Sequence, residues 1–389
     1  MENFDLAIHL AGEQSIPNLL GIRNIPAKKH LLFTSGRTSF TLKRLKRCLP
    51  NIDLTELKIS DAFDLLKVIE TVANGVGSEP GRVAVNLTGG TKPMSLGAWM
   101  GASETASKPT FFYFDTAGDR CLHWSEGEMI QTEPIEKSLT IDDFINLSDF
   151  DIQRQGVDKK GVEARYTLTK KIWDNLFLYT TSGNSIQNAA QKSLEAGRTD
   201  FKKTKIDKNN PNKNISINYE KNRVQSLKIN GREYASSDVP LDLEYLAGRW
   251  FEEFIYWTLK PLEEQGKIRE MRLGMKVMFD RNDKNPAQEF DLLVTDGLRL
   301  FVLECKAGVI KQANLDKLEN ITEKFAGIQG LGILVALWYQ NPKKDYSKPT
   351  IERTEKSRNY ACIHGNAVKD LKEKFFQLKP GVIIPAVGK

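Results

Sequence analysis

Over the first 115 residues, short apolar runs alternate with amphipathic stretches, and this restricts the fold more than any other feature of the chain. "DLAIHL" (5–10), "HLLFTS" (30–35), "RVAVNL" (82–87) and "TFFYFD" (110–115) read as buried strands, β-branched or aromatic and ended by small or polar residues. Between them, "FTLKRLKRCL" (40–49), "AFDLLKVIETVAN" (62–74) and "PMSLGAWMGASETA" (93–106) carry helical spacing. Such a β-α-β-α series predicts a parallel sheet with helices on both faces, a Rossmann-like domain ending near residue 145.

Ligands in open sheets of this kind bind beyond the carboxyl ends of the strands. Three strand ends are polar: "AGEQSIPN" (11–18), "TSGRTS" (34–39) and the turn inside "VAVNLTGGTKPMSLGAWMGA" (83–102). In that turn, Gly89 and Gly90 lack the Cβ atoms that would keep backbone N–H groups from a ligand. Thr88, Thr91 and Lys92 supply donors, and Pro93 suits a first helical turn. A phosphate at the helix N-terminus is the expectation. The spacing is neither G-x-G-x-x-G nor GxxxxGK[ST], so neither a dinucleotide cofactor nor nucleotide triphosphate hydrolysis is indicated.

At 389 residues the chain is too long for one ordinary core. Residues 141–156 read as a connection and "TLTKKIWDNLFLYTTSG" (167–183) as helical. The Lys- and Asn-rich stretch 201–223 is expected to be a mobile, solvated surface excursion, or else a basic arm beside a nucleic-acid groove. From Asp238 the globular pattern returns, with a helix over 242–262. The expected division is a first domain over 1–145, a connector with a basic insert over 146–240, and a second domain over 241–389. A formal net charge of +6 permits nucleic acid as a partner without demanding it. Four scattered cysteines without a CxxC pair argue against a zinc site or disulfide framework, and no apolar run is long enough to span a membrane. A cytoplasmic protein with no membrane partner is expected.

The chemistry concentrates in "EFDLLVTDGLRLFVLECKAG" (289–308), read as two antiparallel strands joined through Thr295-Asp296-Gly297. Residues i and i+2 share a strand face, so Glu304 and Lys306 point the same way, Cys305 points to the other side, and Asp291 lies across from them. Two converging carboxylates repel unless a divalent cation lies between them. A neighbouring lysine orients a water or steadies charge developing on a phosphate. The set supplies what metal-assisted phosphodiester hydrolysis requires. A solvated face or structural ion pair is the competing reading, but "LRLFVLE" is apolar on both faces, as a buried strand would be. Glu252, in "GRWFE", adds an acid on a core helix, and Glu289 shares the face of Asp291 as an extra ligand or water-positioning group.

"E-F-D-(x)12-E-C-K" preceded by "G-R-W-F-E" and followed by the helix "LDKLENITEKFAG" (315–327) resembles the PD-(D/E)xK restriction-endonuclease-like superfamily, with Phe290 where the family name has Pro. The resemblance implies an α/β nuclease domain in which Asp291, Glu304 and the Cys305 backbone carbonyl bind Mg2+ or Mn2+. Lys306 would then be the catalytic lysine and Glu252 the helical acid. "NLTGGTKPM" resembles the turn of CARF domains, the Rossmann-like sensors of cyclic oligoadenylates. Together the two ends resemble the CRISPR ancillary nucleases of type III systems. That likeness implies a cytoplasmic homodimer, activated by cyclic tetra-adenylate, that cleaves RNA or DNA. It places Gln14, Thr34, Ser35, Thr88, Gly89, Gly90, Thr91 and Lys92 at the activator site, and it is silent over roughly 150–240. Two alternatives stay open: a ligand-responsive transcriptional regulator with a non-catalytic second domain, and an ungated DNA endonuclease.

Overall fold

The computed structural model describes residues 3–384 except 78–80, 107, 126, 149, 181–184, 199, 222, 235–240, 280–285, 309, 311, 328–329 and 338–347. The first sheet holds β1 (Phe4–Leu10), β2 (Ala27–Thr34), β3 (Leu54–Lys58), β4 (Val83–Asn86), β5 (Thr110–Asp115), β6 (Arg120–Ser125) and β7 (Gln131–Pro134). Their order is β3-β2-β1-β4-β5-β6-β7, with the first five parallel and the last two antiparallel. All four strands expected from the sequence are present. β3 had no strand signal because an edge position leaves most of "LTELK" solvated. Val68, Val72, Met94 and Ala98, from helices Leu65–Val76 and Lys92–Thr105, cover one face. Leu19, Leu20 and Leu45, from helices Ile16–Asn24 and Phe40–Cys48, cover the other.

The connection is ordered. Thr140 closes a capping box with Asp143 at the start of helix Ile141–Asn146. β8 (Asp151–Arg154) then crosses over to become an edge strand of the sheet in the second domain. The expected helix over 167–183 divides at Asn175 into Lys159–Asp174 and Leu176–Thr180, and 181–183 lie outside the described residues.

The Lys/Asn-rich stretch is not a loose excursion. It folds into an antiparallel meander of β9 (Phe201–Ile206), β10 (Asn214–Glu220), β11 (Arg223–Ile229) and β12 (Arg232–Glu233). The cause is a period-two pattern beneath the polar composition. Ile215, Ile217 and Tyr219 alternate with polar residues, and together with Leu227 and Ile229 they are buried. The expected domain boundary at 240 lies outside the described residues.

The third sheet has the order β18-β17-β16-β15-β14-β13-β8, adding β13 (Glu270–Met278), β14 (Gln288–Thr295), β15 (Leu300–Lys306), β16 (Leu331–Ala336), β17 (Tyr360–His364) and β18 (Ile383–Ile384). β14 and β15 form the expected antiparallel hairpin, with Thr295 opposite Leu300. Asp296 accepts the Leu298 and Arg299 N–H groups, and Gly297 has φ +93°. A Cβ at Gly297 would lie 2.5 Å from the Lys137 carbonyl, so the hairpin end also packs closely on the end of the first domain, just before the connection. Helix Trp250–Glu264 covers one face of the sheet and Gln312–Ala326 the other. The second of these faces shares a single hydrophobic core with Leu19 and Leu20 of the first domain, through Ile141, Phe144 and Ile145.

Candidate active site

The β14–β15 ladder stops at Leu292 and Leu303. Past that pair, the Asp291 carboxylate takes the place of a strand carbonyl and accepts the Cys305 N–H at 2.8 Å. N–H and C=O of one strand residue point to the same edge, so the Cys305 carbonyl is turned towards Asp291 as well. Its thiol packs on the opposite face, in a core with Trp250 and Phe251.

Lys306 Nζ lies 2.7 Å from Glu304 Oε1 and 3.3 Å from Asp291 Oδ2. The three hairpin residues therefore meet, with the lysine between the two acids. Glu304 and Asp291 are only 3% and 9% exposed, which leaves few water contacts to satisfy them. Burial, then the neighbouring Glu304 charge, raise the Asp291 carboxyl above the usual carboxylate range, while Lys306 and Lys317 pull it down. Burial works against the Lys306 ammonium, yet Asp291 and Glu304 outweigh it and raise its pKa. Glu252, half-buried on the helix above, is pushed well above the carboxylate range by desolvation and by Asp291, with Lys306 and Arg249 pulling the other way. Glu289 is exposed on the rim, 3.3 Å from both Arg154 Nη2 and Lys276 Nζ, and two cations already hold it.

Asp291, Lys306, Glu252 and Glu289 line a cleft of about 870 Å³, and Glu304 lies behind Lys306 and Lys317, which also line it. Two parts of its lining have no signal in the sequence. Lys317 Nζ reaches Glu304 Oε2 at 3.0 Å from the covering helix, so Glu304 is held by two ammonium groups. Helix Ile186–Glu195 supplies another wall, where Gln187 donates to the Ala307 carbonyl at 3.2 Å and accepts from the Trp250 indole at 3.4 Å.

Among the described residues, no group of three or more His, Cys, Asp and Glu side chains is placed to hold a metal ion. The Asp291–Glu304–Cys305 carbonyl set uses two side chains and one main-chain oxygen. Hard oxygen donors of this kind suit Mg2+ or Mn2+. Two carboxylates, 3% and 9% exposed, that converge on one ammonium are a fit for a cation.

In the first domain the loops after β1 and β4 meet: a Cβ on Gly12 would lie 3.2 Å from Gly90 N. The Gly-Gly turn has a packing reason that the sequence did not disclose. A Cβ on Gly89 would lie 2.2 Å from the Leu10 carbonyl, and Gly90 has φ +75°. Thr88 accepts the Phe114 N–H at 2.8 Å. Thr91 caps helix Lys92–Thr105 and donates to the Ala62 carbonyl at 2.8 Å. Thr34 is buried and donates to Glu56 at 2.6 Å, and Ser35 N donates to Thr38 at 2.9 Å. Gln14 lies against Gly327 of the second domain. Lys92 is exposed and has no polar partner among the described residues.

A Rossmann-like domain followed by a restriction-endonuclease-like domain with an Asp, Glu and Lys cluster defines a two-domain nuclease of the CARF class. The family model described as "Card1 CARF domain" matches residues 6–144, and "Card1-like, endonuclease domain" matches 242–373. The chain belongs to the Card1-like nucleases, a CARF domain followed by an endonuclease domain. No curated protein matches it in sequence. Protein VC1899 from Vibrio cholerae is similar in structure, with TM-score 0.74, 14% identity, and 96% of this chain and 97% of that chain covered. Can2 from Sulfobacillus thermosulfidooxidans, solved with cyclic tetra-adenylate, gives TM-score 0.63 and 15% identity, covering 97% and 99%. A type III CRISPR defence DNA nuclease activated by cyclic oligoadenylate gives 0.55 and 16%, covering 94% of this chain and 50% of that one. At these identities the likeness concerns the fold.

Proposed function

We propose that the protein is a metal-dependent nuclease of antiviral defence, gated by cyclic tetra-adenylate bound across a homodimer. The observation that carries this reading is the meeting of Asp291, Glu304 and Lys306 at the end of the β14–β15 ladder, where Asp291 and Lys306 line the cleft of an endonuclease domain. Asp291, Glu304 and the Cys305 carbonyl would hold Mg2+ or Mn2+, which when bound supplies Lewis-acid activation of the phosphodiester and lowers the pKa of water. Lys306 orients the attacking water and steadies negative charge on the phosphoryl oxygens. Glu252, whose carboxyl desolvation and Asp291 raise, would be the helical acid beside them.

Can2 with its bound cyclic tetra-adenylate and the cyclic-oligoadenylate-activated DNA nuclease support the choice of activator. Lys92, with Gly89, Gly90 and the other strand-end residues Gln14, Thr34, Ser35, Thr88 and Thr91, would form its site. An apolar surface supports a second copy. Leu66, Leu96, Trp99 and Met100 are 40–76% exposed on two helices that begin beside this site, and Phe63 is 64% exposed in the turn before the first of them.

Gating requires that the activator bind the cleaving arrangement more tightly than the resting one. A connected set of contacts supports the coupling. Asn18, in the first helix, donates to the Leu10 carbonyl on which Gly89 packs, at 2.9 Å. Arg23, at that helix's other end, grips Asp143 at 2.7 and 2.8 Å. Asp142 pairs with Arg272, and Ile141 N donates to Glu270 at 2.9 Å, so the connector holds β13, the neighbour of β14.

The test is cleavage of labelled single-stranded DNA and RNA with Mn2+, with and without cyclic tetra-adenylate. Activator-dependent cleavage that EDTA and Glu304→Gln both abolish is expected. Undiminished cleavage by the Glu304→Gln protein would overturn the site assignment. Equal cleavage without activator would overturn the gating.

A further inference from the structure

The small sheet carries the chain's entire excess of charge. Residues 201–234 contain nine Lys and Arg against three Asp and Glu, a net +6, and the whole chain is also +6. Everything outside the sheet therefore balances, 47 basic residues against 47 acidic. A surplus gathered into one short segment is a directed field rather than a general property of the surface.

The segment's own acids neutralise little of it. Lys202 pairs with Glu220 at 2.9 Å, and Lys228 stands 3.9 Å from Glu233. Lys208, Lys213, Lys221 and Arg223 are exposed and form no ion pair within 4 Å of a carboxylate among the described residues, although Lys221 is near enough to Glu220 to help lower its pKa. The first two flank the β9–β10 turn and the other two the β10–β11 turn, so they stand at opposite ends of β10. Seven extended residues separate them by roughly 20 Å, the length of several nucleotides.

The sheet is fixed to the nuclease domain. Ile215, Ile217, Tyr219, Leu227 and Ile229 lie in the same core as Trp250, Phe251 and Cys305. Between sheet and cleft stands helix Ile186–Glu195, which packs on β9 and β10 and presents Gln187, Asn188 and Gln191 to the catalytic cleft.

We propose that this four-stranded sheet is a docking surface for the phosphodiester backbone of the nucleic-acid substrate, holding a strand whose neighbouring segment enters the cleft. The proposal rests on the nuclease reading above. An arrangement of this kind adds affinity without base readout, since phosphate contacts position a strand and carry no sequence information.

The test uses the full chain with Lys208, Lys213, Lys221 and Arg223 all changed to Gln, positions at turns where no core packing is removed. Binding of a labelled 30-nucleotide single strand is followed by fluorescence anisotropy across a salt series, in a Glu304→Gln background so that nothing is cut. Removing one phosphate-binding cation should lower the slope of log K against log salt by about 0.7, so the fourfold variant should lower it by nearly 3. In the cleaving protein, KM for the long strand should rise while the single-turnover rate at saturation, and cleavage of a tetranucleotide, stay unchanged. An unaltered salt slope and KM would overturn the proposal while leaving the nuclease intact. A parent protein that cleaves nothing with Mn2+ and activator would instead overturn the nuclease reading. Loss of binding to phosphatidylserine vesicles, with strand binding unchanged, would reassign the sheet to a lipid surface and overturn the proposal.

Discussion

Replacing Arg165 with Met should unfold the second domain at a lower temperature, by an amount that grows with pH. Arg165 Nη2 lies 2.5 Å from Glu253 Oε1, and its Nε is 3.0 and 3.1 Å from the two carboxylate oxygens. Both side chains are almost wholly buried, at 7% and 0% exposure. Removing one partner of such a pair costs about 3–5 kcal/mol, because the other is left as a buried, unpaired charge. Burial already raises the Glu253 carboxyl, and Arg165 is the first of the forces pulling it down. Without the arginine its folded pKa rises further above the unfolded value. The folded variant then holds a proton that the unfolded chain releases, so stability falls as pH rises from the carboxylate range towards neutrality. Thermal unfolding at pH 5 and pH 8 reads this directly: the deficit should be small at the lower pH and close to the full figure at the higher. Adding Glu253→Gln should restore most of the stability and flatten the pH dependence, as a double-mutant cycle requires. A deficit equal at both pH values, or none at all, would refute the reasoning. Activity should fall with stability in the single variant, since Arg165 ties helix Lys159–Asp174 to the helix bearing Glu252.

Three further outcomes are expected. Lys317→Ala should cut single-turnover cleavage by one to two orders of magnitude without loss of the fold, an effect of about 1.4–2.7 kcal/mol in the barrier and typical of a removed electrostatic interaction (~1–3 kcal/mol); an unchanged rate would make Lys317 a structural counter-charge only. Lys92→Ala should weaken activator binding by roughly 1.5–3 kcal/mol in titration calorimetry with the thermal midpoint unchanged, whereas Gly89→Ala should lower that midpoint because its Cβ meets the Leu10 carbonyl at 2.2 Å; identical binding in the Lys92 variant would move the site elsewhere. The first domain should lose stability as pH drops below 6.5: His30 is buried against His9 at 2.9 Å and pushed by burial to about 4, with Asp53 pulling the other way, so the unfolded chain takes a proton the fold refuses, worth roughly 3 kcal/mol at pH 4. A stability curve flat between pH 7 and 4.5 would rule this out, and His9→Asn with His30→Gln should reduce the slope.

The hairpin bearing Asp291, Glu304 and Lys306 was legible because several local signals agree there. Period-two apolar residues, an Asp-Gly turn and acids placed where a strand should be apolar all point to one arrangement. The remainder depended on distant partners. Lys317 lies in a helix rich in charged residues, and only the docking of that helix on β15 brings it to Glu304. Gln187 meets Trp250 and Ala307 from sequence separations of 63 and 120 residues, which no local pattern records. β8 pairs with β13 across a comparable gap, so "DFDIQRQG" read as mere connection. In the small sheet, composition outweighed pattern: lysines and asparagines concealed the alternation of Ile215, Ile217 and Tyr219. The Gly-Gly turn shows the opposite limit, since its residues were singled out for a ligand while Gly89 is also required by the Leu10 carbonyl.

The cluster at the end of the β14–β15 ladder makes sense as a balance of charge. With Asp291 and Glu304 ionised, their two negative charges face the two positive charges of Lys306 and Lys317, and desolvation disfavours a further charge on Glu252. A buried cluster with an unpaired carboxylate would cost several kcal/mol, so two lysines are what let two acids stay in so dry a place. On the reading proposed above, the same pairing would prepare the site for chemistry. A divalent cation taken up between Asp291 and Glu304 would leave the cluster with a surplus of two positive charges. A phosphodiester and an attacking hydroxide together carry two negative ones. Lysines that neutralise the acids before the cation arrives are thereby free to face phosphoryl oxygens afterwards, and neither needs to move far, since both stand within 3.3 Å of a carboxylate oxygen already. Replacing either lysine by a neutral residue would therefore act twice, by leaving an acid unpaired before substrate binds and by leaving charge unmatched once it has.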